Sequence, residues 1–362
     1  MKAMKEIDLT GKRILITGGA GFVGANLILS LLRTVKGVNI LTVDNMNDYY
    51  DVSLKEWRLQ QIETEINQHA ESKFEFIKGD IADAGLVNQI FTDFKPDIVV
   101  NLAAQAGVRN SITNPDAYIK SNIIGFYNIL EACRHSYDNE NGVEHLVFAS
   151  SSSIYGDGKE IPYKIDSNTD KQISLYAATK KSDEVLAHVY SHLFGIPVTG
   201  LRFFTVYGPG GRPDMAYFKF TKKLINDEKI QIFNYGNCRR DFTYIDDVVE
   251  GVKRVMAGVP EKSEQDLEPA YRIYNIGNHH PENLMEFVQI LQDELVKADI
   301  LPKDYDFEGH MELVPMQPGD VAVTYADISE LEKDFNFKPD TKLRVGLKRF
   351  IKWYRDFYKL GK

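Results

Sequence analysis

The chain has 362 residues, a formal net charge of −9, and charged residues at 26%. That acidic balance, with no long basic run, argues against nucleic acid as a partner, and no apolar stretch nears the ~18 residues of a membrane span. Only Cys133 and Cys238 occur, far apart and with no Cys/His cluster, so neither a disulfide framework nor a metal site is expected.

The opening MKAMKEIDLTGKR has no apolar core of the kind a secretory leader carries, and a cytoplasmic protein is expected. Arg13 to Thr17 (RILIT) reads as a short buried strand. GGAGFVG follows, from Gly18 to Gly24 and including Phe22 and Val23, and then an apolar helix from Ala25 to Leu32. Gly18, Gly21 and Gly24 are spaced three apart. Side chains there would keep the backbone away from a pyrophosphate, which the free N–H groups of the helix start would bind. The next strand, Val38 to Val43, ends at Asp44, 20 residues after Gly24, with Asn45 behind it. Asp44 reads either as a turn residue or as a carboxylate for the ribose hydroxyls. The second reading favours NAD over NADP, because a 2′-phosphate would be repelled.

Asp51 to His69 reads as a polar helix. Phe74 to Lys78 is a strand ending in Gly79-Asp80-Ile81, where Asp80 either meets an adenine or caps the helix near Ala82 to Phe94. Asp97 to Leu102 runs into Ala103, Ala104 and Gln105, small or polar residues where backbone would pass close to a cofactor. Tyr118 to Arg134 is a helical run containing Asn122. A fifth strand, His145 to Ala149, ends in the serines 150 to 153. Strands alternating with helices predict an α/β fold, a doubly wound parallel sheet covered on both faces. Ligands on such sheets sit beyond the carboxyl ends of the strands. Asp44, Asp80, Ala103, Ala104 and the serine run all fall there.

SLYAATKK sets Tyr176 and Lys180 four residues apart in a helix-forming run to Phe194, so both lie on one face. An ammonium beside a phenol favours the phenolate, which makes a base. Tyr-x-x-x-Lys also occurs at Tyr155/Lys159 and Tyr358/Lys362, but the first spans two glycines and the second runs off the chain end. Val198 to Phe203 is a further strand, and the glycines and prolines of Phe204 to Met215 mark a non-helical crossover. Arg212 there, with Arg239 and Arg240, reads as a clamp for a diphosphate or as solvated surface charge. Glu261 to Glu268 is a polar insertion, expected as a surface loop. A strand at Arg272 to Ile276, an amphipathic helix at Asn283 to Ala298 and an aromatic-faced helix at Leu343 to Tyr358 complete the chain.

Taken together, the glycine turn, Asp44, the serine run and Tyr176/Lys180 resemble the extended short-chain dehydrogenase/reductases, with their Rossmann-type domain and smaller C-terminal substrate lobe. Within them the chain is most similar to the nucleotide-sugar epimerases of the UDP-glucuronate 4-epimerase type. The stretches that carry this likeness include NMNDYYDVSLKEWRL (Asn45 to Leu59), NLAAQAGVRNS (Asn101 to Ser111), LRFFTVYGPGGRPDMA (Leu201 to Ala216) and RRDFTYIDD (Arg239 to Asp247). The resemblance implies Ser151, Tyr176 and Lys180 as the catalytic group. It implies an NAD site reaching from Gly18, Gly21, Phe22, Val23, Gly24, Asp44, Asn45, Asp80 and Ile81 to Leu102, Ala103, Ala104, Gln105, Asn122 and Phe203. For a UDP-sugar it implies Thr205, Arg212, Arg240 and Asp320 at the diphosphate and ribose, and Phe233 stacked on uracil. Ser152, Ser153 and Arg109 are candidates for a sugar carboxylate.

Two departures narrow the reading. Galactose-type epimerases carry arginine three residues before the Asp320 equivalent, where this chain has Gln317. Sugar 4,6-dehydratases carry Asp-Glu where it has Ser152 and Ser153, so elimination lacks its catalysts. The expected reaction is 4-epimerisation of a UDP-uronic acid through a 4-keto intermediate. A different UDP-hexose, such as UDP-N-acetylglucosamine, a decarboxylating enzyme of the UDP-xylose synthase type, and a non-catalytic NAD-binding regulator stand as alternatives. The expected domains are 1–195 with a return segment at about 240–277, and a substrate lobe at 196–239 and 278–362. A homodimer through the helices at 118–134 and 176–194 is expected, with no metal.

Overall fold

The computed structural model describes residues 4–138, 142–158, 160–262, 268–317 and 319–360. Lys159, Lys362 and most of the expected loop at Glu261 to Glu268 (263–267) lie outside the described residues.

Seven strands pair side by side: Arg13–Thr17 (β1), Asn39–Asp44 (β2), Lys73–Lys78 (β3), Ile98–Asn101 (β4), His145–Ser151 (β5), Val198–Phe203 (β6) and Tyr271–Ile276 (β7). They form one sheet in the order β7-β6-β5-β4-β1-β2-β3, and every pairing is parallel. Successive residues of a strand point to opposite faces. Ile14 and Ile16 of β1 therefore join one apolar core, while Leu15 joins the other. The helices Phe22–Thr34 (α1) and Ser53–Ile66 (α2) cover the first face. Ala84–Phe94 (α3), Gly125–Ser136 (α4) and Leu175–Phe194 (α5) cover the second. This is the doubly wound sheet that the alternation predicts.

The second lobe is built on a three-stranded sheet of Pro281–Asn283, Arg239–Tyr244 and Thr205–Tyr207. Its helices are Ala216–Ile225 (α6), Leu284–Lys297 (α8) and Leu343–Tyr358 (α9). Between them Ile245–Ala257 (α7) returns to pack on α1, where Lys253 Nζ donates to Ser30 Oγ at 3.3 Å. The aromatic face of α9 is packing, as expected: Phe350 meets Phe218 and Tyr217 with centroids 5.8 and 4.8 Å apart.

Two expectations are corrected. The boundary after residue 195 cuts the sheet, because Val198–Phe203 is its sixth strand, hydrogen-bonded between β5 and β7. The helical run at Tyr118 to Arg134 is not one α-helix. Ile119–Ile124 winds as a π-helix before α4 begins, a geometry associated with functional sites. On the outer side of α5, Val185, Val189 and Leu193 form an exposed apolar stripe at four-residue spacing.

Candidate active site

The carboxyl ends of β1, β2, β4 and β5 open into a cleft of about 440 Å³. At its floor the turn after β1 is shaped by its glycines. Gly18 sits at φ +74°, and a Cβ there would lie 2.8 Å from Ala103 N. A Cβ on Gly24 would lie 2.4 Å from the Gly18 carbonyl oxygen, so α1 can approach the strand only without one. The N-cap of α1 is Gly21, which has no side chain to bond the first free amides. Those N–H groups, with the positive end of the helix dipole, are left for an anion.

Asp44 ends β2. Its Oδ1 accepts from Met46 N at 2.9 Å and lies 3.5 Å from Lys55 Nζ. Both side chains are buried, and Lys55 also donates to Asn47 Oδ1 at 3.1 Å. Asp80 accepts from Ala82 N at 3.0 Å and pairs with Lys120 at 2.9 Å. Burial works against its charge, but the amide and Lys120 outweigh it and hold the carboxyl below its usual range. The cap of α3 is Asp83, whose Oδ1 accepts from Gly85 N and Leu86 N, so Asp80 is not the helix cap. Asn122, in the π-helix, does not reach the cleft wall. It is buried, accepting from Gln105 N at 2.8 Å and donating to Gln105 O at 3.1 Å and to Thr179 Oγ1 at 2.9 Å. It holds the Gln105 backbone against α5.

Ser174 starts α5 by accepting from Ala177 N at 3.1 Å, which aims the first turn, with Tyr176, into the cleft. Tyr118 packs edge-on against the Tyr176 ring, centroids 6.1 Å apart. Lys180 lies one turn on, lining the same cleft, and donates to Ala149 O at 2.9 Å and Asp183 Oδ2 at 3.0 Å. Ser151 ends β5, and its Oγ accepts from Ser153 N at 3.2 Å and Ser153 Oγ at 3.0 Å. Ser152 and Ser153 open a short 3₁₀ turn and also line the cleft. Behind them, Ser150 Oγ and the Arg202 guanidinium both donate to the buried Glu184, which locks β5 and β6 onto α5.

The far wall comes from the second lobe. Thr205, Arg212, Arg240 and Asp320 line it, with Phe203 at the end of β6 beside them. Arg240 Nη2 donates to Asp320 Oδ1 at 2.8 Å. Arg212, also in the lining, donates twice to Asp214, at 3.0 and 2.6 Å. Tyr49 donates to the same carboxylate at 3.2 Å. Arg109 and Phe233 stand outside the cleft lining, with the guanidinium stacked 4.7 Å from the Phe233 ring centroid and 3.7 Å from Asp320 Oδ2. Among the described residues no cluster of His, Cys, Asp and Glu is placed to hold a metal, and no helix is long and apolar enough to cross a membrane.

Residues 14–277 match the NAD dependent epimerase/dehydratase family. The chain belongs to that family. It is similar along its length to Protein CapI of Staphylococcus aureus, 46% identical over 96% of this chain and 99% of that protein. UDP-glucuronate 4-epimerase 2 of Arabidopsis thaliana is 42% identical, over 97% of this chain and 77% of its own length. Among solved structures, UDP-glucuronic acid 4-epimerase from Bacillus cereus, in complex with UDP-glucuronic acid and NAD, superposes with a TM-score of 0.80. It is 29% identical and covers 96% of this chain and all of that one.

The family's cofactor fits what this epimerase-family chain offers. A dinucleotide needs a close backbone approach at its pyrophosphate and an acceptor for its ribose hydroxyls. The start of α1 leaves free N–H groups at the glycine turn, and Asp44 places a carboxylate at the end of β2. Sequence reasoning missed Lys55, Tyr49 and Asp214, which also line the cleft. Their signal lay in the resembling stretches NMNDYYDVSLKEWRL and GGRPDMA, where only Asn45 and Arg212 carry assigned roles.

Proposed function

We propose that the protein interconverts UDP-glucuronate and UDP-galacturonate by reversible oxidation at C4 of the sugar. Bound NAD⁺ supplies the hydride acceptor and donor for that carbon, and is regenerated in each cycle. The glycine turn, Asp44 and Asp80 hold its adenosine and pyrophosphate, and Lys180 holds its nicotinamide ribose.

The observation that carries the reading is the convergence of Ser151, Tyr176 and Lys180 on one cleft with an uncapped helix start. Tyr176 takes the proton of the 4-hydroxyl as C4 is oxidised and returns it when C4 is reduced on the other face. Ser151 shares that oxygen by hydrogen bond. Lys180 favours the phenolate by its charge. The resulting 4-keto uronate is a β-keto acid and loses CO₂ if its carboxylate is free to align. Ser152, beside Ser151, donates to the carboxylate and holds it out of that geometry, and Ser153 joins it by turning its hydroxyl from Ser151. Arg240 and Asp320 bind the diphosphate and the uridine ribose, and Phe233, just beyond the cleft lining, stacks on the uracil once the Arg109 guanidinium that covers its ring moves aside.

The uronate is favoured by the likeness to the plant and Bacillus proteins, whose names specify it, and by the hydroxyls at 152 and 153. The protein works as a homodimer whose contact is the apolar stripe of α5 with Ile124 and Tyr127. A comparison of kcat/KM across UDP-glucuronate, UDP-glucose and UDP-N-acetylglucosamine tests the substrate. Preference for UDP-glucuronate is expected, and preference for either neutral sugar overturns the uronate reading.

A further inference from the structure

Tyr176, Lys180 and Asp183 stand at i, i+4 and i+7 on α5, so all three lie on one helix face. An ammonium has three donors. Lys180 spends one on Ala149 O and one on Asp183 Oδ2, at 2.9 and 3.0 Å. Asp183 is 1% exposed, and its other oxygen, Oδ1, is buried with no hydrogen-bond partner. A buried carboxylate with an unmet oxygen is costly. Helix packing alone needs no charge at this position. Burial pushes the carboxyl up to about 6, while the Lys180 ammonium 3.0 Å away pulls it down.

The surrounding charges are engaged elsewhere. Glu184 is held by Arg202 of β6 and Ser150 of β5, with Lys181 4.0 Å away. Tyr155 accepts from Arg202, and Tyr271 of β7 donates to the Glu184 carbonyl. Lys120 of the π-helix pairs with Asp80, and Glu131 of α4 with Arg134 and Tyr190. His145 of β5 bonds Thr199 and Met256 O. Among the described residues, Lys180 is the one cation that pairs with Asp183, and Asp183 the one carboxylate that pairs with Lys180.

We infer that Asp183 is a positioning residue that sets how much of the Lys180 charge reaches Tyr176. Ionised, it cancels part of the field that favours the phenolate and ties the ammonium toward the far end of the face. At Tyr176 the charge of Asp183 then opposes that of Lys180, where an unpaired lysine would act alone. In a reaction that takes a proton from one epimer and returns it to the other, this balances the base against the acid. The inference rests on Tyr176 serving as the base, as proposed above.

The test uses NAD-loaded protein carrying Asp183→Asn, which keeps the shape and removes the charge, and Asp183→Glu, which keeps the charge. Phenolate absorbance is titrated against pH for each and for the same protein with Tyr176→Phe, so that the difference isolates Tyr176. For Asp183→Asn the phenolate should appear about one pH unit lower. The acid limb of kcat/KM should move with it, a roughly tenfold faster turnover at a fixed pH on that limb. Asp183→Glu should stay with the wild type. An unmoved Asp183→Asn titration, or a Glu variant displaced as far as the Asn one, overturns the inference. Asp183→Ser takes the place of Asp183→Asn if the latter fails to accumulate. The titration needs no sugar, so inactivity on UDP-glucuronate would sink the substrate reading and leave the role of Asp183 to be decided by absorbance.

Discussion

Arg58 reaches across 152 residues of sequence to donate from Nε and Nη2 to the Gly210 carbonyl, at 3.0 and 2.8 Å. The same guanidinium donates to Ala20 O at 2.9 Å, to Gly211 O at 3.2 Å and to Tyr50 OH at 2.7 Å. It is 1% exposed, and among the described residues no carboxylate pairs with it. One buried cation thus joins the glycine turn that follows β1 to the crossover that carries Arg212. The planar fork of arginine suits it to several carbonyls at once, which lysine cannot match.

Arg58→Met should therefore leave three buried carbonyls short of a donor and cost on the order of 3 kcal/mol. Thermal unfolding with and without added NAD checks this. The variant should melt lower, and NAD should raise its melting temperature less than it raises that of the wild type. A melting temperature unchanged from the wild type contradicts the role.

Ser152→Ala combined with Ser153→Ala removes two hydroxyls without touching Tyr176 or Lys180. If they hold the carboxylate, the KM for UDP-glucuronate should rise about tenfold, the usual size of a lost hydrogen bond to a charged group. Release of a decarboxylated pentose should rise with it. Product analysis by proton NMR reads both. Unchanged KM and product ratio would remove the serines from this role.

The stripe of Val185, Val189 and Leu193 is 52%, 41% and 63% exposed. An apolar row of that length on one helix calls for a cover. Light scattering should report twice the chain mass of 41.2 kDa. Val189→Asp with Leu193→Asp should halve it while leaving the fold intact, since neither side chain is in the core. A wild-type protein that runs as a single chain contradicts the dimer.

What was legible in the sequence is what the chain fixes locally. Gly18 needs its positive φ, Ser174 caps its own helix, and Tyr176 and Lys180 share a face because a helix turns every 3.6 residues. The parallel sheet follows from apolar runs alternating with helices. What escaped depends on contacts far apart in sequence. Arg58 and Lys55 sit in a stretch that reads as a polar surface helix, yet both are buried, because their partners lie on turns at 20, 44 and 210. Val198–Phe203 pairs into the seven-stranded sheet through neighbours that a strand's own sequence does not reveal, and the π-helix around Asn122 leaves no mark in an apolar periodicity.

The central claim is that Tyr176 and bound NAD act on C4 of a UDP-uronate. A proton NMR time course with UDP-glucuronate, run on the wild type and on Tyr176→Phe, tests it most directly. The account predicts galacturonate signals that grow to equilibrium with the wild type, and a loss of at least about 10²-fold in rate with the variant. A variant as fast as the wild type, or a wild type that yields only pentose or leaves the substrate untouched, would contradict it.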